Sequence, residues 1–540
     1  MRPIRMTNLP DHLLTIPGVL ARAASLYATS DALVDERDRL TYSGLAADVE
    51  MTARAVVASG VQPGDRVAIW APNTTEWVIA ALAIYSAGAV IVPLNTRFKG
   101  GEAAYILDRA DVRLLFTVTD FLATNYVELL RAAEPVASLK EIVVLRGTPA
   151  PGTVGWDEFL KRAHRVIPEE LAARRDSLTA GDLSDILFTS GTTGRPKGAM
   201  LTHGASVRAY EAWSDVVGLR EGDRYLVVNP FFHAFGLKAG ILASILKGAA
   251  IIPHAVFDVD AVMARAAEER VSMLPGPPTI YQSILDHPNV GAFDMTSLRL
   301  AVTGAAAVPV ELIRRMRAEL GFETIVTGYG LTEATGIATM CRHDDDPETI
   351  SKTAGRAIPG TEVITVDDDG NAVAPGEPGE VVVRGYNVMK GFIHDPEATA
   401  EAIDADGWLH TGDIGVLDER GNLRITDRKK DMFIVGGFNA YPAEIEGMMS
   451  EHPGVSQVAI VGVPDTRMGE VGYAYVVPRT AAELDAEELK AWCRQHMANY
   501  KVPRAIEIVD ALPLNASGKV LKYELRERAQ RATRAPDAGA

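Results

Sequence analysis

A stretch rich in glycine and hydroxyl side chains near the middle of the chain has the composition of a phosphate-binding loop. Residues 188–198 read Phe-Thr-Ser-Gly-Thr-Thr-Gly-Arg-Pro-Lys-Gly. Backbone N–H groups, several hydroxyls and one ammonium would converge here, which is what binding an anionic phosphate chain requires. The order differs from the G-x-x-x-x-G-K-[ST] loop of common NTPases, because Pro196 precedes Lys197 and Gly198 follows it. An ordinary hairpin loop is the alternative, and the density of hydroxyl and basic side chains argues against it.

Residues 189–198 resemble the AMP-binding signature of the adenylate-forming enzymes. This superfamily contains acyl-CoA synthetases, luciferases and the adenylation domains of peptide synthetases. The motif is highly specific at this length, and further motifs extend the resemblance over nearly the whole chain. The resemblance implies that the following residues of this stretch bind ATP and AMP: Thr189, Ser190, Gly191, Thr192, Thr193, Gly194 and Lys197.

Two later motifs resemble the family's adenine and magnesium sites. Residues 304–306 and 328–333 each follow an apolar strand pattern. An adenine slot needs small residues and an aromatic face, and Mg²⁺ prefers carboxylate oxygen. The resemblance implies that Tyr329 stacks on adenine, Thr332 contacts phosphate and Glu333 holds Mg²⁺; taken alone, Glu333 would be an acid in the first turn of a helix. The nucleotide-binding positions implied here are Gly304, Ala305, Ala306, Gly328, Tyr329, Gly330 and Thr332.

A carboxylate and an arginine fifteen residues apart resemble the family's ribose site. Asp413 ends the sequence Trp-Leu-His-Thr-Gly-Asp, and Arg428 lies within Thr-Asp-Arg-Lys-Lys-Asp. A carboxylate can accept hydrogen bonds from both ribose hydroxyls, so we expect Asp413 to bind the ribose together with Arg428. Asp413 alone could be a turn residue, because glycine precedes it.

The C-terminal segment contains the remaining candidates for catalysis and CoA binding. The resemblance implies a hinge at Lys430, and a loop at Gly436 and Gly437 that approaches the pantetheine of CoA, where glycine permits close backbone contact. Lys519, in Leu-Pro-Leu-Asn-Ala-Ser-Gly-Lys, is the strongest single candidate for catalysis. A cation there could meet the charge that develops as a carboxylate attacks the α-phosphate. The catalytic set implied is Lys519, Thr332, Glu333 and His233.

Residues 229–236 place three aromatic rings around one histidine and resemble the family's gate beside the acyl pocket. A lone histidine among aromatic rings is most often packed in a core; here we expect His233 to help exclude water from the acyl-adenylate. Lys238 lies in an apolar run, where its ammonium must reach solvent, pair with another group or contact the ligand. We expect its stem to be buried and its ammonium to reach solvent; the alternative role is that of a hydrogen-bond donor to the ketones of a ring-bearing acid. The acyl pocket is predicted to be broad and mainly apolar and to include Phe231, His233, Phe235, Gly236, Lys238 and Pro277.

The acid substrate is suggested only by resemblance. Residues 229–254 and 274–288 resemble CoA ligases of actinobacterial steroid catabolism, which act on the propanoate side chain of a methylhydrindanedione derived from the C and D rings of cholesterol. Pro277 and Pro278, after Gly276, predict a stiff turn, and a stiff wall suits a rigid fused-ring acid. A medium-chain or general fatty-acid CoA ligase is the alternative.

The elements that must position these motifs alternate between strands and helices. Residues 1–180 and 181–345 each repeat this alternation, with strands such as Arg66–Trp70 and Tyr225–Asn229, which predicts parallel sheets covered on both faces. Short strands separated by Gly and Pro predict a small β-rich subdomain over residues 346–428. Residues 429–540 predict a smaller C-terminal domain, mobile in the family, with a frayed tail after Arg528. The fold class is therefore α/β plus α+β, and the resemblance identifies it with the adenylate-forming fold.

The composition indicates a globular, acidic protein with more than one domain. The chain has 540 residues, of which 47% are hydrophobic and 23% charged. Its net charge of −17 disfavours nucleic-acid binding, because phosphates require a basic surface. Two cysteines, Cys341 and Cys493, cannot form a disulfide framework or a zinc cluster, and a reducing cytoplasm is the simplest setting.

No targeting or membrane segment is expected. Residues 1–10 contain Arg2 and Arg5 and have no apolar core, unlike a signal peptide. The apolar stretch from residue 78 to residue 94 is interrupted by Gly88 and Pro93. This pattern predicts a helix over residues 77–87 followed by a buried strand over residues 89–92, not a membrane span.

The implied activity is that of a free-standing acid–CoA ligase. A carboxylate attacks the α-phosphate of MgATP to give an acyl-adenylate and pyrophosphate, and the thiol of CoA then displaces AMP. The expected partners are ATP, Mg²⁺, CoA and a small carboxylic acid, with no nucleic acid; the chain could act as a homodimer, although the sequence does not give the oligomeric state. A peptide-synthetase module would be followed by a carrier domain, and a non-catalytic nucleotide-binding protein would be expected to lack Lys519 or Glu333.

Overall fold

The structure is a computed structural model, and its described residues form two compact units. It describes residues 10, 13–189, 196–304, 308–428, 431–435, 438–440, 442–465, 468–479, 484–497, 499–514 and 520–534. The first unit consists of Met1–Val363 and Val383–His410, and the second of Ile364–Val382 and Thr411–Ala540. The predicted domain boundary after Arg428 stays a prediction.

A seven-stranded sheet in the first unit contains the strands that flank the predicted phosphate loop. Its order is β7-β6-β5-β3-β4-β8-β9, and every pairing is parallel except β8 with β9. The strands are β3 (Arg66–Trp70), β4 (Val90–Pro93), β5 (Val112–Val118), β6 (Glu141–Arg146), β7 (Val154–Gly155), β8 (Leu183–Thr189) and β9 (Lys197–Thr202).

A second region of sheet in the first unit contains the predicted adenine and magnesium motifs. Two four-stranded sheets have the orders β10-β11-β1-β2 and β12-β13-β14-β15. Met273 joins them through parallel bridges to Tyr225 and Leu300. The strands are β1 (Asp31–Val34), β2 (Arg39–Thr41), β10 (Arg224–Val227), β11 (Ala250–Pro253), β12 (Leu300–Thr303), β13 (Thr324–Tyr329), β14 (Thr339–Met340) and β15 (Arg356–Ala357).

Helices alternate with these strands, as the sequence predicts. The apolar stretch around residue 80 forms a buried helix capped by Thr74, whose side chain accepts a hydrogen bond from the Trp77 N–H, and β4 follows it. The helices of the first unit are α1 (Ile16–Leu26), α2 (Tyr42–Ala58), α3 (Thr75–Ser86), α4 (Gly100–Arg109), α5 (Tyr126–Arg131), α6 (Trp156–Leu160), α7 (Pro168–Ser177), α8 (His203–Val217), α9 (Ala243–Lys247), α10 (Val259–Glu268), α11 (Pro278–Leu285), α12 (Val310–Leu320), α13 (Pro347–Lys352) and α14 (Pro396–Ala402). Among the described residues, none of the helices combines the length and apolar character that a membrane crossing needs.

A four-stranded sheet has the order β16-β17-β18-β19. Its strands are β16 (Thr361–Val366), β17 (Pro378–Gly385), β18 (Leu409–Leu417) and β19 (Leu423–Arg428). The predicted short strands of residues 346–428 are therefore present.

The rest of the second unit is a sheet in the order β21-β20-β23-β22, with β24 paired to β23. Two apolar clusters pack within this unit, one around Phe433 and Ile445 and one around Tyr475 and Leu525. The elements are β20 (Phe433–Val435), β21 (Phe438–Ala440), α15 (Pro442–Ser450), β22 (Val455–Asp465), β23 (Gly469–Pro478), α16 (Ala486–His496), β24 (Ala505–Ile508) and α17 (Lys522–Arg534).

Two predicted boundaries differ from the structure. The strand predicted over Tyr225–Asn229 is β10 and ends at Val227, because Asn229 and Pro230 begin the turn into the gate segment. The prediction that the chain is frayed after Arg528 is wrong for residues 529–534, which belong to α17. Ala529 on this helix is fully buried in the second unit, and packing of one face stabilises a helix that composition alone would leave frayed.

Candidate active site

Strand β8 leads into the predicted phosphate loop and strand β9 leads out of it. Thr189 and Lys197 are paired across the two antiparallel strands, so β8 and β9 form a hairpin that is described up to these two residues. The Lys197 ammonium lies 5.5 Å from the centre of the Phe392 ring, within range of a cation–π interaction. The backbone of residues 390–393 hydrogen-bonds to β9 at Gly198 and Met200 and so supports the lysine from one side.

The end of this hairpin meets the predicted magnesium ligand. The Thr189 hydroxyl Oγ1 lies 3.3 Å from Oε1 of Glu333 and 3.5 Å from the carbonyl oxygen of Lys197. Two motifs that are 144 residues apart in sequence therefore lie side by side. A hydroxyl, a carboxylate and the end of a glycine-rich loop are the protein groups that suit a magnesium-bound polyphosphate.

The carboxylate of Glu333 is compatible with Mg²⁺. Within the described part of the chain, no three His, Cys, Asp or Glu side chains lie close enough to hold a metal ion together. Mg²⁺ binds proteins through one or two carboxylates and takes its other ligands from substrate phosphates and water. Glu333, half-buried beside the hairpin, meets that requirement.

Among the predicted adenine-binding residues that the structure describes, Gly304 and Gly328 lie beside each other on neighbouring parallel strands. Thr303, the last residue of β12, pairs with Thr327 of β13, so Gly304 lies beside Gly328, which is still within β13 and pairs with Met340 of β14. A Cβ atom on Gly304 would lie 3.5 Å from the Gly328 carbonyl oxygen. Ligands of α/β proteins bind beyond the carboxyl ends of parallel strands, and Tyr329, half-buried at the end of β13, lies at such a position.

A tight turn follows Tyr329 and presents Thr332 and Glu333. Residues Thr332–Ala334 form a single 3₁₀ turn. Gly330 is required because a Cβ there would lie 2.4 Å from the Gly336 carbonyl oxygen, closer than atoms can pack. The Met389 N–H donates to the Glu333 carbonyl oxygen at 2.8 Å and fixes the peptide that carries the carboxylate.

The residues predicted to gate the acyl pocket occupy different environments. His233 is exposed, and its Nδ1 accepts a hydrogen bond from the Phe235 N–H at 3.2 Å. Phe235 is half-buried, with its ring edge-on to Trp213 and the ring centres 6.5 Å apart. Phe231 is fully buried with its ring centre 5.2 Å from that of Trp77, so it packs in the core beneath the gate.

Two other predicted pocket residues have clear steric roles. Gly236 must be glycine, because a Cβ there would lie 2.1 Å from the Pro230 carbonyl oxygen. Pro277 is exposed and immediately precedes α11, which begins with Pro278 at its first position. The stiff turn expected from the adjacent prolines is therefore the start of a helix.

The expectation that the Lys238 ammonium reaches solvent is wrong. Its side chain is 1% exposed, and Nζ pairs with the Asp185 carboxylate and donates to the Ser206 hydroxyl at 2.7 Å. Burial lowers the pKa of Lys238 from its ordinary value, and the Asp185 carboxylate opposes that shift. Lys238 lies in a π-helical segment, Phe235–Leu242, where the wider turn departs from regular helix geometry.

The buried acid that binds this lysine was not identified from the sequence. Asp185 lies in the middle of β8, is fully buried, and also accepts hydrogen bonds from Tyr85 Oη at 2.5 Å and from the Ser184 hydroxyl. The available sequence signals were a single acid within an apolar strand and a single lysine within an apolar run, since each buried charge needs a partner of opposite charge. The spacing of 53 residues concealed that they form a pair.

In the second unit, the predicted ribose residues are directly opposite each other. Asp413 of β18 and Arg428 of β19 are paired in antiparallel register. Asp413 is 8% exposed, and its N–H donates to the Thr411 hydroxyl oxygen at 3.1 Å. The fifteen-residue spacing that suggested a pair thus corresponds to a hairpin.

Several predicted positions lie outside the described residues, and their roles stay predictions. They are Ser190, Gly191, Thr192, Thr193, Gly194, Ala305, Ala306, Lys430, Gly436, Gly437 and Lys519. The same holds for the side chain of Arg428.

Comparison with known proteins agrees with this geometry. Residues 20–393 match the family described as AMP-binding enzyme, and residues 444–519 match the AMP-binding enzyme C-terminal domain. The chain belongs to the AMP-binding enzyme family. The predicted membership of the adenylate-forming superfamily is therefore confirmed.

Several curated proteins that are similar to this AMP-binding enzyme are CoA ligases or synthases. A 3-[(3aS,4S,7aS)-7a-methyl-1,5-dioxo-octahydro-1H-inden-4-yl]propanoyl:CoA ligase of Rhodococcus jostii is 49% identical, covering 97% of this chain and 99% of that protein. The Mycobacterium tuberculosis protein of the same name is 50% identical, with coverage of 95% and 99%. A feruloyl-CoA synthase of an Amycolatopsis species is 41% identical, with coverage of 91% and 94%.

Solved structures confirm the fold class. An anthranilate CoA ligase in complex with anthranoyl-AMP superposes with a TM-score of 0.85 at 26% identity, covering 98% of this chain and 100% of that one. A fatty acyl CoA synthetase of Mycobacterium tuberculosis superposes with a TM-score of 0.76 at 32% identity, with coverage of 97% and 100%. This AMP-binding enzyme is an ATP-dependent, AMP-forming acid–CoA ligase that uses ATP, Mg²⁺ and CoA.

Proposed function

We propose that the acid activated by this ligase is a propanoate attached to a methylhydrindanedione ring system, the remnant of a steroid. The proposal is supported by two relatives that are named as CoA ligases of this acid, each about half identical over nearly the whole chain. The likeness of residues 229–254 and 274–288 to steroid-catabolism ligases points the same way. A rigid fused-ring acid loses little conformational entropy when it binds.

In this proposal the groups near the β8–β9 hairpin bind the triphosphate of ATP. The Thr189 hydroxyl and the Lys197 ammonium contact phosphate oxygens, together with the loop of residues 190–194. Glu333 holds Mg²⁺, which neutralises phosphate charge when bound, and Thr332 contacts phosphate. The observation that supports these roles is the 3.3 Å contact between Thr189 and Glu333, which brings two distant motifs to one place.

The remaining nucleotide contacts follow from the strand ends. Gly304, Ala305, Ala306, Gly328 and Gly330 leave a slot for adenine, and the ring of Tyr329 stacks on it. Asp413 accepts hydrogen bonds from the ribose hydroxyls, and Arg428 assists. Their pairing across the β18–β19 hairpin supports a joint role.

No side chain needs to act as a nucleophile in either step. In the first step a carboxylate oxygen of the acid bonds to the α-phosphorus and pyrophosphate leaves, while Lys519 meets the developing charge. In the second step the CoA sulfur bonds to the acyl carbon and AMP leaves, with the backbone at Gly436 and Gly437 beside the pantetheine. Catalysis then consists of positioning and charge stabilisation, and His233 and Phe235 keep water from the acyl-adenylate.

These two steps place different parts of the C-terminal segment at the reaction. We propose that residues 1–428 form the large domain and residues 429–540 a small domain that rotates about Lys430 between the steps. The match of residues 444–519 to a separate C-terminal family supports a distinct domain there.

A substrate panel tests the proposed acid. Pyrophosphate release is measured with the purified chain, ATP, Mg²⁺ and CoA, using hydrindanedione propanoate, other ring-bearing propanoates, octanoate, decanoate and ferulate. We expect the ring-bearing propanoate to have the highest kcat/KM, since specificity is a ratio of these values. If octanoate or decanoate is better by about tenfold, a difference of about 1.4 kcal/mol, the ring-acid proposal is wrong and the ligase chemistry stands.

A medium-chain fatty-acid ligase is the second candidate. It is supported by the human mitochondrial medium-chain acyl-CoA ligase, which is 32% identical and covers 96% of this chain. A preference for octanoate in the same panel would favour it.

The expected cytoplasmic location and homodimer belong to this proposal as well. The location is supported by Cys341 and Cys493, which are both free and buried, as suits a reducing compartment. Light scattering during gel filtration tests the homodimer, which would have about twice the 58.0 kDa mass of the chain.

A further inference from the structure

Two buried asparagines of the first unit each hold a segment that carries predicted active-site residues. Asn387 lies in the stretch after β17, and Asn73 lies in the loop between β3 and α3. Neither belongs to any motif recognised in the sequence. In both, the amide Nδ2 donates to two backbone carbonyl groups of another segment.

Asn387 holds the turn that presents Thr332 and Glu333. It is fully buried, and its Nδ2 donates to the carbonyl oxygens of Ile337 at 2.8 Å and Ala334 at 3.4 Å. Its own carbonyl oxygen accepts from the Thr335 hydroxyl at 2.6 Å. The Thr361 hydroxyl donates to Oδ1 of Asn387 at 3.1 Å and fixes which way the amide faces.

The turn needs such support because its backbone is strained. Thr335 has φ of 57°, a left-handed conformation that is unfavourable for a β-branched residue. Thr335 is fully buried, and its carbonyl oxygen accepts from the Tyr210 hydroxyl at 3.2 Å. Strained backbone persists only when its surroundings hold it, and it is concentrated at functional sites.

Asn73 holds the segment that leads into the acyl gate. It is 7% exposed, and its Nδ2 donates to the carbonyl oxygens of Val227 at 3.1 Å and Asn229 at 2.9 Å. Its Oδ1 accepts from the Phe231 N–H at 2.8 Å. The three contacts span the end of β10 and the turn that begins the gate, two residues before His233.

We propose that Asn387 and Asn73 are positioning residues with separate tasks: Asn387 sets the affinity for magnesium and ATP, and Asn73 sets recognition of the acid. The proposal rests on the roles proposed above for Glu333 and for the gate. Asn387 acts through the backbone carbonyl groups of Ala334 and Ile337, which follow Glu333 in the chain. Asn73 acts through the backbone that leads to His233 and Phe235. An error of about 1 Å in a positioned group can lower activity about a hundredfold.

The same substitution in both positions makes a matched test. Asn387→Asp and Asn73→Asp keep the size of the side chain, but an aspartate has at most one donor where the amide uses two. Formation of the acyl-adenylate is measured in each variant while Mg²⁺, ATP and the acid are varied in turn. Thermal unfolding of each variant is measured alongside.

We expect the two variants to impair the use of different substrates. Asn387→Asp should raise the Mg²⁺ and ATP concentrations required for half-maximal rate about tenfold or more, as loss of a residue supporting a metal ligand does, and leave KM for the acid within about twofold. Asn73→Asp should raise KM for the acid by a similar factor and leave the Mg²⁺ and ATP requirements unchanged. Each variant is the control for the other, because both remove a buried amide from the same unit.

The proposal would be overturned if both variants changed the requirements for Mg²⁺, ATP and the acid equally and had lower unfolding temperatures. That result would show that the asparagines only stabilise the fold. Unchanged kinetics would overturn the proposal as well. Should either aspartate variant fail to fold, Thr361→Val removes the donor that orients Asn387, and Asn73→Ser shortens the second side chain, with the same expectations. A wild-type chain that adenylates no acid would refute the proposed function, whereas an active wild type with undifferentiated variants would refute only this inference.

Discussion

At the scale of single residues, the environment decides what a charged side chain can do. Lys238 has the type and sequence position of a pocket donor, yet its ammonium is bound to Asp185 and Ser206 inside the first unit. Burying two charges removes their hydration, and only their close contact and further hydrogen bonds offset that cost. Lys238 therefore links the π-helical segment Phe235–Leu242 to β8, and its ammonium is not a donor to the acid.

Removing one charge of this pair should destabilise the protein more than removing both. Lys238→Met leaves the Asp185 carboxylate buried without its cation, and we expect unfolding free energy to fall by about 3–5 kcal/mol. Asp185→Asn combined with Lys238→Met keeps an acceptor for Tyr85 and should recover most of that loss. Urea unfolding measures both; a single variant as stable as wild type would contradict the buried pair.

Lys519 is the residue whose removal should separate the two half-reactions. Lys519→Ala should raise the barrier to adenylation by roughly 3 kcal/mol or more, the cost of losing one group placed for the transition state. Thioester formation from supplied acyl-adenylate should stay close to wild type. Single-turnover assays of each half-reaction measure this.

Lys522 offers a matched control for that experiment. It lies three residues further on and pairs with Glu446 at 2.8 Å. Lys522→Ala removes the same charge from the same region and should leave both half-reactions near wild type. Equal loss of both half-reactions in Lys519→Ala would contradict the assigned role.

At the scale of elements, the hairpin of β8 and β9 and the helix that follows share one buried polar cluster. His203 begins α8, is fully buried, and its Nδ1 accepts from the Ile16 N–H of α1 at 3.3 Å. Burial lowers the pKa of His203 from 6.5 to about 4; nearby Asp185 opposes the shift, and Lys238 adds to it. The start of the helix is thus held by a neutral histidine.

This histidine should make stability depend on pH. Its pKa is lower in the folded than in the unfolded chain, so the unfolded chain binds more protons between about pH 4 and pH 6.5. Stability should therefore be full above pH 6.5 and fall as the pH drops toward 4, by up to about 3 kcal/mol. Urea unfolding at pH 5.0 and 7.5 measures the difference.

A variant can isolate this contribution from other acid effects. His203→Asn keeps an acceptor for the Ile16 N–H but does not titrate, so the difference between the two pH values should shrink. His343→Asn replaces an exposed histidine and should leave the difference as in wild type. If His203→Asn and wild type respond alike to pH, the histidine is not the cause.

At the scale of the whole molecule, our proposal requires a different arrangement of the chain for each of the two half-reactions. Lys519 serves the first step in our proposal, and Gly436 and Gly437 serve the second. All three follow Lys430 in sequence, so one change of backbone torsion at Lys430 can exchange them. The proposed hinge makes that residue the place to restrict motion.

Lys430→Pro should slow thioester formation more than adenylation. Proline fixes φ near −65° and limits the rotation that the hinge uses. Single-turnover adenylation serves as the internal control, because the same purified protein performs it. Normal turnover in the complete reaction would argue against a hinge at this residue.

The sequence alone determined the family and the nucleotide motifs. Residues 189–198, 328–333 and 408–413 were recognisable because each is a contiguous run, which can be compared with a family motif without knowledge of the fold. The alternation of strands and helices followed as well, since periodicity of apolar residues is local. The pairing of Asp413 with Arg428 was predictable because a short hairpin connects them.

Only the tertiary structure decided what lies behind those motifs. Lys238 and Asp185 form an ion pair although 53 residues separate them in sequence. Asn387 and Asn73 donate hydrogen bonds to backbone carbonyl groups that are distant in sequence. A lone polar residue in an apolar or irregular stretch has no local pattern that names its partner. Its partner is set by which strands and turns pack together, because a buried polar group must find a hydrogen bond wherever the fold provides one.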